Sequence, residues 1–399
     1  MTYIRSVDLL ASRRQLFKGV AGAGAIAALA ATSGQVVSSS SSLADTTAAP
    51  HAVSVSVDWK GKECLSLGDR PLEPGELGRL AALDASALPL LKNVVLNIQR
   101  LAPGAGRVPH WHHSVAELNC VLEGTGEMGI VGLDGSLSRI PIVPGTVTCV
   151  PQGLMHYMAN TGSTELVIAM GFNATKTMSS SLSNALRAFG SDRLAQMSGL
   201  AVTDFGMPSD KEAPIYAPFG KLPAVDASAP RLVDGVISSA DFSAIQGFAN
   251  LNGSARDIDA KVIGNLVGES MSLMTLEPGA LRDIHWHPHG TELIYIVDGE
   301  LEWGLQAPGR AGDSSVFKAA SGQVVAIPEG WLHYAANIGQ QTAKLLVLWE
   351  SPAPKTIEMT GLLSVLPLEI TMASAGTILD AAKASTLIGK ASPFISPKI

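Results

Sequence analysis

The sequence predicts an all-β protein of two tandem, duplicated barrels, each built around a metal-binding cluster. Three observations predict it. A two-part motif occurs twice with every expected residue in place, the two copies keep a near-constant offset, and strand-like runs punctuated by turn residues fill the intervals. The first copy runs Gly104, His110-Trp111-His112, Glu117 and Gly124, and its second part runs Gly145, Pro151, Gly153, His156 and Asn160. The second copy reads Gly279, His285-Trp286-His287, Glu292 and Gly299, then Gly322, Pro328, Gly330, His333 and Asn337. His285 follows His110 by 175 residues, Glu292 follows Glu117 by 175, and His333 follows His156 by 177. Six of the nine histidines fall at these positions, which chance placement does not explain.

In chain order, residues 1–44 come first. Ser12 to Lys18 read SRRQLFK, and a run of small apolar residues follows from Gly19 to about Val37. This segment resembles a twin-arginine export signal, with Ser42-Leu43-Ala44 offering the small residues a signal peptidase prefers and cleavage expected after Ala44. The run is too rich in Ala and Gly for a stable membrane span, which needs about 20 strongly apolar residues. Residues 45–90 read as an irregular arm, with turns marked by DRPLEPGELGRL. Barrel one with a following helix is expected over 91–205. Its strand-like runs are Asn93 to Leu101, Leu118 to Leu122, Gly126 to Val131, Thr146 to Val150 and Leu166 to Phe172, and turn signals such as Leu133-Asp134-Gly135-Ser136 separate them. Ser179 to Met197 carries Leu182, Leu186, Phe189 and Leu194 at helical spacing. The stretch 206–233 holds Pro208, Pro214, Pro218, Pro223 and Pro230 and reads as a linker. Barrel two with a helical tail through Met359 to Ala384 is expected over 234–399.

The ligand spacing has a physical reason. Side chains alternate faces along a strand, so the two histidines of an H-x-H triplet point the same way. Facing inward, both imidazoles reach one ion, while the tryptophan between them, Trp111 or Trp286, points to the opposite face. Glu117 and Glu292 add an anionic oxygen, and His156 and His333 close each set from a distant strand. Three imidazoles and one carboxylate suit a first-row divalent metal with two coordination positions left open, the mark of a reactive site. His113 and His289 fall out of register with these ligands and read as surface residues.

These residues and spacings resemble the cupin superfamily, and two copies in one chain look like a bicupin: two double-stranded β-helix (jelly-roll) barrels with short flanking helices, covering roughly residues 75 to 375. The likeness is strongest to the manganese-dependent oxalate decarboxylases, and LEPGALRDIHWHPHGTELIYIVDGELEWGL is similar to that family's second barrel along its length. Arg107 and Arg282 each stand three residues before an H-x-H, where the resemblance implies an arginine that holds the substrate carboxylate beside the metal. It further implies two manganese ions per chain, one per barrel, with His110, His112, Glu117 and His156 as one ligand set and His285, His287, Glu292 and His333 as the other. An always-charged planar guanidinium suits a small dicarboxylate, and only 5% of the residues are aromatic, against a flavonol pocket. Oxalate and dioxygen are the expected small-molecule partners.

The family pattern breaks at one place. Oxalate decarboxylases carry a glutamate on a short lid after the last strand of barrel one, and it serves the proton transfer that yields formate. Here the matching stretch, 172–183, reads FNATKTMSSSLS and contains no acid. General acid catalysis contributes about 100- to 10,000-fold, so the loss bears directly on the reaction. Glu358, in the corresponding region after barrel two, is the candidate acid. Decarboxylation there, an oxidase reaction giving hydrogen peroxide, and manganese binding without turnover are the three outcomes left open.

The remaining composition fits these expectations. Removing the signal leaves about 355 residues, enough for two ordinary domains. The net charge is −7 with no basic block after the signal, against nucleic acid as a partner. Three cysteines, Cys64, Cys120 and Cys149, show no ligand-like spacing; buried free thiols are expected, with a Cys120–Cys149 bridge as the alternative. The export signal implies a periplasmic or secreted protein handled folded by the twin-arginine machinery. Folding before export would also load manganese away from copper and zinc, which bind such ligands more tightly. The resemblance is consistent with a homo-oligomer.

Overall fold

The computed structural model describes residues 59–206, 215–309, 312–375 and 392–395. The expected signal at 1–44, the start of the arm, residues 207–214 of the linker and residues 376–384 of the expected helical tail lie outside them. The chain divides into two units, Met1–Val53 and Ser54–Ile399, and the second contains both barrels.

Each barrel is a pair of antiparallel sheets. In barrel one, the first sheet runs Ser239–Asp241, Thr146–Val150, Glu117–Glu123, Leu166–Phe172, Val95–Leu101 and Gly78–Leu83. The second runs Ser179–Ser181, Ala105–His112, His156–Asn160, Gly126–Val131 and Leu137–Ile142, with Tyr216–Pro218 also paired to Ala105–His112. Barrel two repeats this plan. One sheet carries Glu292–Asp298 and Ala343–Trp349 at its centre, and the other carries Leu281–Trp286 beside Leu332–Asn337 and Ile357–Glu358. The all-β, two-barrel architecture expected from the repeat is present.

The strand Leu166–Phe172 explains how the barrels join. Leu166, Ile168, Met170 and Phe172 face the interior of barrel one, while Val167 and Ala169 belong to the core shared with barrel two. A strand buried on both faces reads as a continuous apolar run rather than an alternating one, which is what LVIAMGF shows. Gly171 sits on the shared face, where a Cβ would run into the side chain of Leu348 from barrel two, so the absence of a side chain lets the sheets approach. The shared core gathers Leu96, Ile98, Leu118 and Val147 from one barrel with Met271, Leu293, Val347 and Leu348 from the other. All three cysteines are free, and Cys120 and Cys149 are buried in this core.

The structure departs from the sequence reading in four local places. Within the stretch read as an irregular arm, Cys64–Ser66 pairs with Gln323–Ile327 of barrel two and Gly78–Leu83 pairs with Val95–Leu101 of barrel one. Ser239–Asp241, at the start of barrel two's segment, pairs with Thr146–Val150 of barrel one. Each barrel therefore takes an edge strand from chain attached to the other, and a three-residue strand defined by a distant partner leaves no local pattern. The single helix expected over 179–197 is a strand, Ser179–Ser181, followed by helices Leu182–Ala188 and Gly190–Ser198. Gly190 at φ 72° breaks the helix, and Phe189 is turned out, 71% exposed. Finally, Tyr216–Pro218 within the proline-rich linker is an edge strand, where Pro218 needs no N–H for the ladder.

Candidate metal centres

Alternation and register bring each predicted ligand set together. His110 and His112 share the inward face of Ala105–His112, and His110 lies opposite His156 across the ladder. Glu117 opens the next strand. In barrel two His285 lies opposite His333, His287 follows directly after its strand, and Glu292 opens the next one. The ligand atoms of His110, His112, Glu117 and His156 lie within 4.8 Å of one another, as do those of His285, His287, Glu292 and His333, and all eight residues are buried. These are the two groups among the described residues that could hold a metal ion.

The imidazoles are oriented from behind. In barrel one the Nδ1 atoms of His110, His112 and His156 contact the carbonyls of Val108 (2.8 Å), Met178 (3.3 Å) and Leu154 (3.0 Å). In barrel two those of His285, His287 and His333 contact the carbonyls of Asp283 (2.6 Å), Lys355 (2.9 Å) and Trp331 (2.9 Å). A carbonyl only accepts, so each Nδ1 carries the proton and each Nε2 presents a lone pair to the centre. His112 Nε2 comes to 2.7 Å from Glu117 Oε2, and His287 Nε2 and His333 Nε2 each to 3.1 Å from Glu292 Oε2. Yet His112 Nε2, Glu117 Oε1, His287 Nε2, His333 Nε2 and Glu292 Oε2 have no hydrogen-bond partner. Buried acceptors converging without donors are what a cation satisfies, so the residues fit a divalent metal.

Their electrostatics agree. Burial, then the neighbouring His156, pushes His110 well below the usual histidine range; burial, then His333, does the same to His285. Burial raises Glu117, but His156 and His112 outweigh it and hold the carboxyl well below its ordinary value. Burial likewise opposes ionisation of Glu292, and His287 and His333 overcome it. The downward shifts of His110 and His285 favour the neutral imidazole, and those of Glu117 and Glu292 favour the ionised carboxylate, the forms in which these groups bind a metal.

The two arginines need a further device. Three residues before a histidine is an odd step, which strict alternation would turn outward. In both barrels the ladder register shifts between Arg107 and His110 and between Arg282 and His285, and this irregularity re-aims the side chain. Arg282, 6% exposed, lines a cavity of about 180 Å³ together with His285, His287, Glu292 and Glu358, and it makes a 3.1 Å ion pair with Glu358. Arg107 lies near enough to Glu117 for their charges to interact, and its Nη1 is buried without a partner. Glu358 thus lines the cavity of the second centre, and Arg107 faces no such acid. His113 and His289 are exposed, as expected.

Some residues at the centres carried no sequence signal. Tyr216, whose ring lies 5.8 Å from the Arg107 guanidinium, has a buried hydroxyl without a partner. Trp349 packs its ring 4.4 Å from His287 and donates its Nε1 hydrogen to Ser272 Oγ (2.8 Å), which in turn donates to Asp257 (2.6 Å) on the wall of the cavity that Arg282 lines. Glu269, 4% exposed, brings an acid into the apolar junction between the barrels. Burial first, and the Glu117 charge second, push its carboxyl well above the usual range.

Paired barrels that each direct three imidazoles and a carboxylate inward define a two-barrel cupin with two candidate metal centres. The Cupin family model matches residues 70–203 and 228–376, and the chain belongs to that family. It is 23% identical to oxalate decarboxylase OxdC of Bacillus subtilis over 292 residues, 70% of this chain and 73% of that protein. Oxalate oxidase GF-3.8 of Triticum aestivum is 29% identical over 94 residues, 23% of this chain and 42% of that protein. A solved structure of the Bacillus subtilis decarboxylase, a deletion mutant, matches with TM-score 0.76 at 21% identity, covering 84% of this chain and 89% of the other. At that identity the likeness is one of fold. A second structure of the same enzyme (TM-score 0.75, 21% identity, 84% and 89% covered) is described by its Mn(II) centers.

Proposed function

We propose that this protein is a manganese-dependent bicupin that acts on oxalate, converting it to formate and carbon dioxide in a dioxygen-dependent reaction, with the second barrel as the reacting site. The ion pair between Arg282 and Glu358, in one cavity with His285, His287 and Glu292, carries this reading. The similarity to the Bacillus subtilis decarboxylase and its Mn(II) centers supports the substrate and the metal. Manganese held by the three histidines and Glu292 would act as redox relay and template for opening the oxalate carbon–carbon bond.

The chain's own groups then divide the work. Arg282, fixed beside the ligands, receives one substrate carboxylate in place of Glu358 and polarises it. Glu358, released from the guanidinium, accepts the acidic proton of hydrogen oxalate and returns it to carbon after carbon dioxide leaves. The balance is hydrogen oxalate to carbon dioxide and formate, with no net oxidation.

A specific observation favours oxidase chemistry at the first barrel. The residue opposite His110 is Ser181, which has no ionisable proton to deliver to carbon, so oxalate and dioxygen with two protons would yield carbon dioxide and hydrogen peroxide there. We place the protein in the periplasm or outside the cell, exported folded by the twin-arginine route, on the strength of SRRQLFK and the run that follows.

The test is a product assay on the mature, metal-quantified protein supplied with oxalate and dioxygen at mildly acidic pH. Formate without stoichiometric peroxide is the expected result, and peroxide with carbon dioxide assigns an oxidase. Neither product, with two manganese ions bound per chain, leaves a metal-binding bicupin and overturns the enzyme reading.

A further inference from the structure

Each arginine is covered by a short strand contributed from far along the chain. In barrel one Tyr216 lies opposite Arg107, and in barrel two Phe394 lies opposite Arg282. The ring centroids stand 5.8 Å and 5.7 Å from the two guanidinium carbons. Phe394 follows Tyr216 by 178 residues, which continues the 175- and 177-residue offsets of the ligand motifs. The covering strand therefore belongs to the repeated unit, although proline-rich surroundings hide it.

The two copies have diverged in what they offer. Tyr216 brings a buried hydroxyl with no partner beside the unpartnered Nη1 of Arg107, so both groups stay available. Phe394 brings no hydroxyl, and its neighbour Pro393 ties the arginine down instead. Arg282 Nη1 donates to the Pro393 carbonyl at 3.1 Å, and the Asp283 backbone N–H donates to that same oxygen at 2.9 Å. The segment is itself well held. Phe394 is 1% exposed, its ring lies 5.7 Å from Phe248, and its carbonyl accepts from Asn250 Nδ2 at 3.0 Å. Pro393 and Phe394 also line the cavity shared with Glu358.

We propose that the Pro393–Phe394 segment is a positioning element for the second centre, holding Arg282 against Glu358 through the Phe394 ring and the Pro393 carbonyl. Its catalytic consequence rests on the function proposed above; the placement of Arg282 does not. A cation over an aromatic face is attracted to it, and a guanidinium misplaced by ~1 Å can cost about 100-fold in rate. Without the ring, Arg282 keeps its charge but loses the surface that fixes its direction.

Two measurements on the full-length, metal-loaded protein separate the claims. The first is arginine modification by phenylglyoxal, followed by peptide mass spectrometry. Phe394→Ala is expected to speed modification of Arg282 about 10-fold or more while Arg107 keeps its wild-type rate. Phe394→Leu, which keeps most of the buried volume and removes the π face, covers the case in which the alanine variant does not fold and is expected to act in the same direction. Phe394→Tyr is expected to restore protection. The second is oxalate kinetics, where both ring-deleting variants should raise KM and lower the formate yield with metal content unchanged. Wild-type rates of Arg282 modification in a folded ring-deleting variant overturn the proposal. Faster modification in a protein whose wild type turns over no oxalate keeps the positioning role and overturns the substrate assignment alone.

Discussion

Glu358 and Ser181 occupy the same place in the two barrels: Glu358 lies across the ladder from His285, and Ser181 lies across the corresponding ladder from His110. The duplicated scaffold thus holds an acid at one centre and a hydroxyl at the other. If the acid decides the fate of the cleaved fragment, then Glu358→Gln should abolish most formate while leaving peroxide. Ser181→Glu should raise the formate share at the first centre. Ser181 Oγ also caps helix Leu182–Ala188 by accepting from Asn184 N at 3.2 Å, so the glutamate variant should lose about 1 kcal/mol of stability. Formate-to-peroxide ratios for both variants check this, and ratios equal to wild type would refute the assignment.

Metal content offers a test that does not depend on turnover. Glu117 and Glu292 are the sole anionic members of their groups. Glu117→Ala and Glu292→Ala should each remove about half of the bound manganese, since each strips one centre of its carboxylate. Elemental analysis after dialysis reads this directly, and full occupancy in either variant would mean that the ligand set is wrong.

Glu269 predicts a pH dependence of stability. Burial, reinforced by the Glu117 charge, raises its carboxyl in the folded state, whereas an unfolded glutamate titrates at about 4.3. Its contribution to stability is therefore fully present below that value and is lost as pH rises toward and through the folded pKa. Glu269→Gln removes the titration. Urea melts at pH 4 and pH 7 should show the variant gaining on the wild type at the higher pH. An equal difference at both values would argue against a protonated Glu269.

The legibility of this protein followed the range of its interactions. Ligands two residues apart were readable because alternation along extended chain aligns His110 with His112 and His285 with His287. Arg107 and Arg282 were readable by resemblance only; their inward aim depends on a register shift that spacing does not predict. Tyr216 and Phe394 reach the centres through strands of three and two residues paired far along the chain, and so carry no local period. Glu269 stands beside Ser270–Leu276, where its barrel-one counterpart by offset is the apolar Val94, so nothing nearby marks the acid. Strands such as Leu166–Phe172 were legible because burial on both faces writes an unbroken apolar run.

The exchanged edge strands bear on how this molecule can be taken apart. Cys64–Ser66 finishes a sheet of barrel two, and Ser239–Asp241 finishes a sheet of barrel one. A cut between residues 206 and 233 would leave each half with a bared row of backbone donors and acceptors, the template on which strands from other molecules assemble. Neither half would be a faithful sample of its centre. Any attempt to assign chemistry to one barrel by expressing it alone would measure a broken edge, whereas a point change in the intact chain leaves both seams closed.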